Sequence, residues 1–236
     1  MLLKGHKIVY FGHSAFLVIS QKGKTILIDP WLSNPVNKRT IDSVVNKVDF
    51  ILITHGHGDH IGDAVDIGKK YNSEIISTFE ITNYLGSKGL SRLSGMNIGG
   101  TLWREEISFT MVEASHSSTI YDGERAIPGG NPCGFIITLE DGLKIYHMGD
   151  TGLFGGLNYI AELYKPDIVM IPIGGHYTMG VVEASYALRI LNPSIIIPMH
   201  YKTFPVIDAD PEKLKELLPS ELKERVRVLK SGDFLE

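Results

Sequence analysis

Short apolar runs separated by turn residues occupy most of the first half of the chain. Residues 7–11 and 14–19 read as strands, Gln21-Lys22-Gly23-Lys24 as a turn, and Thr25-Ile26-Leu27-Ile28 as a returning strand that ends at Asp29-Pro30. A short helix is expected over 40–46. The unbroken apolar stretch from Asp49 to Thr54 reads as a strand buried on both faces. Residues 63–71 and 79–86 read as helices on either side of an extended 74–77. A strand over 107–112 runs into a polar, Gly/Pro-rich loop at 115–134.

The second half begins with another hairpin, Phe135–Leu139 and Leu143–Tyr146 around Asp141-Gly142, ending at Gly149-Asp150. A helix is expected over 155–164 and a buried strand over 167–171. Val181, Ala184, Leu188 and Leu191 recur at helical spacing. Ile195-Ile196-Ile197-Pro198 is a strand. Asp210-Pro211 pairs an N-cap with a first-turn proline and opens a helix to about 218. The two halves echo each other. Each has a hairpin ending in aspartate (Asp29, Asp150), then an Asp-initiated buried strand, then a helix and a Ser-led strand (Ser73, Ser194). That order predicts an α/β fold of two mixed sheets packed face to face with helices outside, a four-layer αββα sandwich. No linker or charge block separates the halves, so residues 1–236 are expected to form one domain.

Composition narrows the function classes. The 236 residues carry a net charge of −4, so no general cationic surface is available for nucleic acid. A sole cysteine, Cys133, excludes an internal disulfide and a cysteine-based metal site. The segment Met1–Lys7 is too short and too soon interrupted for a secretory signal, and no apolar run approaches a membrane span. A soluble cytoplasmic protein with a small-molecule substrate is the expectation.

The chemistry concentrates in Thr54-His55-Gly56-His57-Gly58-Asp59-His60, directly after a buried strand. In open α/β sheets, sites form outside the carboxyl ends of strands. The small glycines let alternate side chains curl toward one point. Imidazole and carboxylate together suit divalent cations. An isolated His-x-His is more often a polar strand cap, but His-x-His-x-Asp-His is far more specific. One short loop cannot enclose two ions, so further ligands should come from other strand ends: His116, Asp150 and His200 each stand at one.

This order, His-x-His-x-Asp-His, then His, Asp and His, resembles the metallo-β-lactamase superfamily over essentially the whole chain. Gly12-His13-Ser14-Ala15-Phe16, Asp29-Pro30-Trp31-Leu32, Gly129–Phe135, Gly149–Phe154 and Gly174–Gly180 are similar to the L-ascorbate-6-phosphate-lactonase-like branch of metal-dependent hydrolases. The resemblance implies one metal ion on His55, His57 and His116, a second on Asp59, His60 and His200, and Asp150 bridging them. It also implies the αββα sandwich, and it allows a homo-oligomer.

Two divalent ions sharing a water lower its pKa from 15.7 toward ~7, giving a metal-bridging hydroxide that attacks a carbonyl carbon or phosphorus. Zinc or manganese fits best, with iron or nickel open. Asp59 is a candidate for aiming that hydroxide as well as for ligation. Asp29 either orients a ligand imidazole or caps a turn before proline. His176, in a glycine-rich turn, is a candidate for contacting a leaving group or an anionic oxygen. His13 is either a substrate contact or a hydrogen-bonded structural histidine, and Asn131 either anchors its loop or touches substrate. His6, His147 and Cys133 read as structural. A hydrolase of a small phosphodiester, lactone or ester is the leading expectation. Its rivals are an iron-dependent oxidoreductase, against which stands a loop with no glutamate, and a non-catalytic binding protein, against which stands the complete ligand set.

Overall fold

The computed structural model describes residues 3–236. In chain order they form β1 (Lys7–Tyr10), β2 (Phe16–Ile19), β3 (Thr25–Ile28), β4 (Phe50–Leu52), α1 (Gly58–Ile61), α2 (Ala64–Tyr71), β5 (Glu74–Thr78), α3 (Phe79–Ser87) and β6 (Leu93–Met96). There follow β7 (Thr101–Arg104), β8 (Ile107–Glu113), β9 (Thr119–Asp122), β10 (Arg125–Pro128), β11 (Cys133–Thr138) and β12 (Lys144–His147). The chain closes with α4 (Leu157–Tyr164), β13 (Ile168–Pro172), α5 (Val181–Leu191), β14 (Ile195–Met199), α6 (Pro211–Leu217), α7 (Ser220–Lys223) and β15 (Phe234–Leu235). No helix among the described residues is long and apolar enough to cross a membrane.

These elements divide into two compact units. The first takes the chain up to Asn97, Ser117–Pro132 and Lys230–Glu236; the second takes Ile98–His116 and Cys133–Leu229. The first holds a sheet of order β15-β1-β2-β3-β4-β5-β6, antiparallel as far as β3 and parallel beyond it. The second holds a sheet of order β7-β8-β11-β12-β13-β14, antiparallel as far as β12 and parallel beyond. Leaving β6 aside, the two ladders have the same order and the same strand directions. The mixed α/β class with two large mixed sheets is as the sequence predicts.

The correspondence extends to single hydrogen bonds. Asp49, before β4, accepts the Thr25 N–H at 2.9 Å, and Asp167, before β13, accepts the Lys144 N–H at 2.9 Å. Both carboxylates tie the first parallel strand to the start of its neighbour. Both central helices end on asparagine in the left-handed region, Asn72 (φ 52°) after α2 and Asn192 (φ 44°) after α5. Asparagine tolerates that conformation and stops the helix there.

Each sheet buries one face under its own helices. In the first unit Val9, Leu17, Leu27, Ile51 and Ile75 pack with Ala64 and Ile67 of α2 and Ile81 and Leu85 of α3. In the second, Ile136, Val169, Ile171 and Ile196 pack with Leu157 of α4, Ala184 and Leu188 of α5 and Leu214 of α6. Truncating a fully buried leucine such as Leu188 in such a core costs about 2–5 kcal/mol. Cys133 is buried in β11 as a packing residue.

Two expectations fail. The helix over 40–46 is only a single 3₁₀ turn, Ile41–Ser43. Asp42 is engaged there by Lys70 and Tyr71 of α2, and the β-branched Val44-Val45 pair does not prolong so short a nucleus. The 115–134 loop is not structureless: it contains the antiparallel hairpin β9–β10. Ile120 and Ile127 anchor that hairpin in the first unit's core, overriding its polar composition.

Candidate metal centre

The first unit builds a cluster where β4 ends. Beyond Leu52 the chain passes through Ile53-Thr54 and curls at once into α1, so His55, His57, Asp59 and His60 all lie within one tight bend. Gly62 ends the bend at φ 43°, and a Cβ there would run into the Trp31 backbone. Asp29, at the end of β3, is fully buried and gathers three donors. The Thr54 N–H reaches Oδ1 at 2.8 Å, the Thr54 hydroxyl reaches Oδ2 at 2.8 Å, and His60 Nδ1 reaches Oδ2 at 2.7 Å.

Proton counting then sets the tautomers. With Asp29 as the acceptor, His60 carries its hydrogen on Nδ1, and its Nε2 lies 3.9 Å from Asp59 Oδ2. The Thr54 hydroxyl spends its one hydrogen on Asp29. Its oxygen, 3.0 Å from His55 Nδ1, therefore accepts from that ring, and His55 too presents Nε2. His55 Nε2 lies 3.0 Å from His57 Nδ1, and that gap takes a proton or a cation. The far nitrogen of His57 is 3.3 Å from Ser117 Oγ, while Ser118 Oγ accepts the Gly56 N–H at 3.0 Å. His13, fully buried, places Nε2 3.0 Å from Asp59 Oδ2.

The second unit builds its cluster from three strand ends. His116 follows β8, Asp150 follows β12 and His200 follows β14. Asp150 Oδ2 lies 2.9 Å from His200 Nε2 and 3.6 Å from His116 Nε2, within ion-pair range of both imidazoles. Asp150 is 2% exposed and His200 1%, a setting in which a carboxylate requires charged or strongly donating neighbours. Thr151 locks the arrangement: its hydroxyl accepts the Ser115 N–H at 2.9 Å and donates to the Gly152 carbonyl at 2.8 Å. The Gly152 N–H returns to the Ser115 carbonyl at 2.9 Å, and the Met179 N–H reaches the Thr151 carbonyl at 3.0 Å. Tyr201, next after His200, has its hydroxyl pushed up to about 12 by burial and then by Asp210 and Glu212. It remains a neutral donor at physiological pH.

Three of these residues carry a strained backbone. His13 (φ 53°), Asp29 (φ 45°) and His200 (φ 55°) are non-glycine residues in the left-handed region. Such a conformation costs roughly 1–2 kcal/mol for a residue with a Cβ and persists where surrounding contacts enforce it. The other sequence candidates stand apart. His176 is exposed at the tip of a turn closed by the Thr178 N–H on the Gly175 carbonyl at 2.8 Å, its ring edge-on to Tyr177. Asn131 is exposed between Gly130 and Pro132. His147 accepts the Gly149 N–H at 3.2 Å and holds the turn leading to Asp150.

Sequence reasoning missed the hydroxyls. Thr54 precedes His55, Ser117 follows His116 and Thr151 follows Asp150. A serine or threonine next to His55, His116 and Asp150 was the available signal. Neutral imidazoles and buried carboxylates with their outer atoms fixed in this way form a donor set for hard-to-borderline divalent cations. Within the first unit alone, His13, Asp59 and His60 present ligand atoms within 4.8 Å of one another.

Comparison with known proteins agrees with this donor chemistry. The β-lactamase superfamily domain model matches residues 7–200. A UPF0173 metal-dependent hydrolase from Koribacter versatilis is 45% identical over 219 residues, 92% of this chain and 94% of that protein. One from Caldivirga maquilingensis is 47% identical over 229 residues, 96% of each. Among solved structures, Igni18, a metallo hydrolase from the hyperthermophilic archaeon Ignicoccus hospitalis, is 41% identical with a TM-score of 0.87, covering 98% of this chain and 97% of that one. With a superfamily model spanning most of its length and relatives of this identity across nearly all of it, the chain belongs to the β-lactamase superfamily, among the UPF0173 metal-dependent hydrolases.

Proposed function

We propose that the chain is a binuclear metal-dependent hydrolase of a small phosphodiester, lactone or ester. In this reading His55, His57 and His116 hold one ion, Asp59, His60 and His200 hold the other, and Asp150 bridges them. Zinc or manganese fits the mixed imidazole and carboxylate donors, and iron or nickel is compatible with them. The observation that carries the reading is the pair of contacts that hold one nitrogen of each ring, His55 Nδ1 to the Thr54 hydroxyl at 3.0 Å and His60 Nδ1 to Asp29 Oδ2 at 2.7 Å, while the Nε2 atoms face His57 and Asp59. Membership among metal-dependent hydrolases supports it.

When bound, the two cations would supply an acidified water and a Lewis acid for the scissile group. The chain's own part is to position. Asp59, half-buried in the bend after β4, offers its carboxylate to orient the attacking water. Asp29 and Thr54 hold the imidazoles so that no reorganisation is needed during reaction. His176, exposed on its turn, contacts the leaving group or an anionic oxygen.

The test is a screen of chelator-stripped protein reloaded with zinc or manganese against chromogenic bis-ester phosphates, lactones and thioesters. His57→Ala should abolish whichever turnover is found while circular dichroism shows the fold retained. Full activity in that variant would overturn the assignment.

A further inference from the structure

The first unit holds a histidine that the seven-residue assignment leaves out. His13 is fully buried, which removes it from contact with a substrate, yet it stands in the middle of the donor cluster. Its Nε2 lies 3.0 Å from Asp59 Oδ2, and its ring is edge-on to His60 at 5.6 Å and to Trp31 at 5.1 Å. We propose that His13 is itself a metal ligand, so that His13, Asp59 and His60 form a three-donor face for one divalent cation. The proposal rests on the metal-centre reading above and extends it.

The spacing supports ligation. Donors about 2.1 Å from one ion are about 3.0 Å apart at right angles, about 3.4 Å apart in a tetrahedron and about 4.2 Å apart when opposite. The His13–Asp59 separation of 3.0 Å is the length of a hydrogen bond and also matches a right-angle edge of such a shell. The His60–Asp59 separation of 3.9 Å fits a wide angle of the same shell. His55 and His57 present their own nitrogens at the same 3.0 Å.

The backbone is built to hold this ring. Gly12 (φ 96°) and His13 (φ 53°) are successive left-handed residues in the turn between β1 and β2. A Cβ on Gly12 would lie 2.7 Å from Val36 Cγ2 and 2.9 Å from Asn34 Oδ1, so the turn is packed from outside. The Tyr10 hydroxyl donates to the His13 carbonyl at 3.0 Å, and Asn34 Nδ2 donates to the Phe11 carbonyl at 3.1 Å. Ring, turn and flanking carbonyls are all fixed, so Nε2 is delivered to one place. A ligand added to Asp59 and His60 raises the coordination number of that ion. The site then favours manganese or iron, which take five or six donors, over the four-coordinate preference of zinc.

His13→Gly and His13→Asn both tolerate the left-handed turn, and circular dichroism checks that they fold. Equilibrium dialysis against manganese with elemental analysis should show two ions per wild-type chain. In His13→Gly the affinity for one of them should fall by more than the about 100-fold that loss of a merely orienting partner costs, the other being unchanged. With cobalt, the weak visible bands of a five- or six-coordinate ion should intensify in His13→Gly as the coordination number drops. Wild-type affinity for both ions and unaltered cobalt bands in both variants would overturn the proposal while leaving the seven-residue centre intact. A wild-type chain that binds no divalent ion would overturn both.

Discussion

The two halves of this molecule run the same ladder of strands and use it differently. In the first unit, the aspartate that ends the hairpin, Asp29, is an orienting group: it holds His60 and, through Thr54, His55. In the second, the aspartate in the corresponding place, Asp150, points its oxygen at the imidazoles of His116 and His200. The loops after the central parallel strands diverge in the same way. After β4 the chain coils immediately into α1 and packs four donor residues into that bend, two of them in the helix, whereas after β13 it makes an exposed turn whose only histidine is His176. A shared scaffold therefore constrains where a polar residue can stand, while the neighbouring loop decides whether that residue ligates, orients or faces solvent.

The sharpest way to break this comparison is to neutralise both aspartates. On the proposed binuclear reading, Asp150→Asn should lose at least one ion, read by elemental analysis, and bring hydrolysis below detection. Asp29→Asn, which keeps a side chain tolerant of φ 45°, should retain both ions at saturating metal but bind them about 10–100-fold more weakly. Equal losses in the two variants would mean that the halves do not differ as described. A smaller effect is expected at the divergent loop. His176→Ala should weaken turnover and leave metal content untouched, and loss of metal would assign His176 to the wrong task.

The smallest effect tests what the halves share. Burial works against ionisation of Asp49, but the Thr25 N–H and hydroxyl and the Lys47 ammonium outweigh it and hold the carboxyl below its ordinary 3.8. A depressed carboxylate stabilises the fold above its unfolded value and loses that contribution as pH falls through the folded one. Asp49→Asn should therefore lower the urea midpoint at neutral pH, with the gap to wild type closing below pH 3.8. Asp167→Asn, which removes the equivalent Lys144 bond, should produce a smaller shift at neutral pH.

What could be read from the chain alone follows from where the signal is local. The Asp-initiated apolar strands, the helical stripe of α5 and the Asp210-Pro211 start of α6 are consecutive-residue patterns, and the structure has them in place. The recurrence of hairpin, strand, helix and strand was visible because each element carries its own periodicity. β6 and β7 were not, because Leu93-Ser94-Gly95-Met96 has little strand propensity and is extended only through its parallel partner β5, while β7 is an edge strand set by β8. In the site, the histidine-rich loop declared itself by composition. Thr54, Ser117 and Thr151 did not, since a hydroxyl gains its meaning only from a partner placed by folding.

The burial of the one thiol has a practical consequence. Cys133 is 1% exposed, within the central β11 of the second sheet. An alkylating reagent reaches it only when that sheet opens. The native chain thus carries an intrinsic clock for one half alone. Read beside global denaturation, its ticking rate tells whether the duplicated lobes come apart together or one ahead of the other.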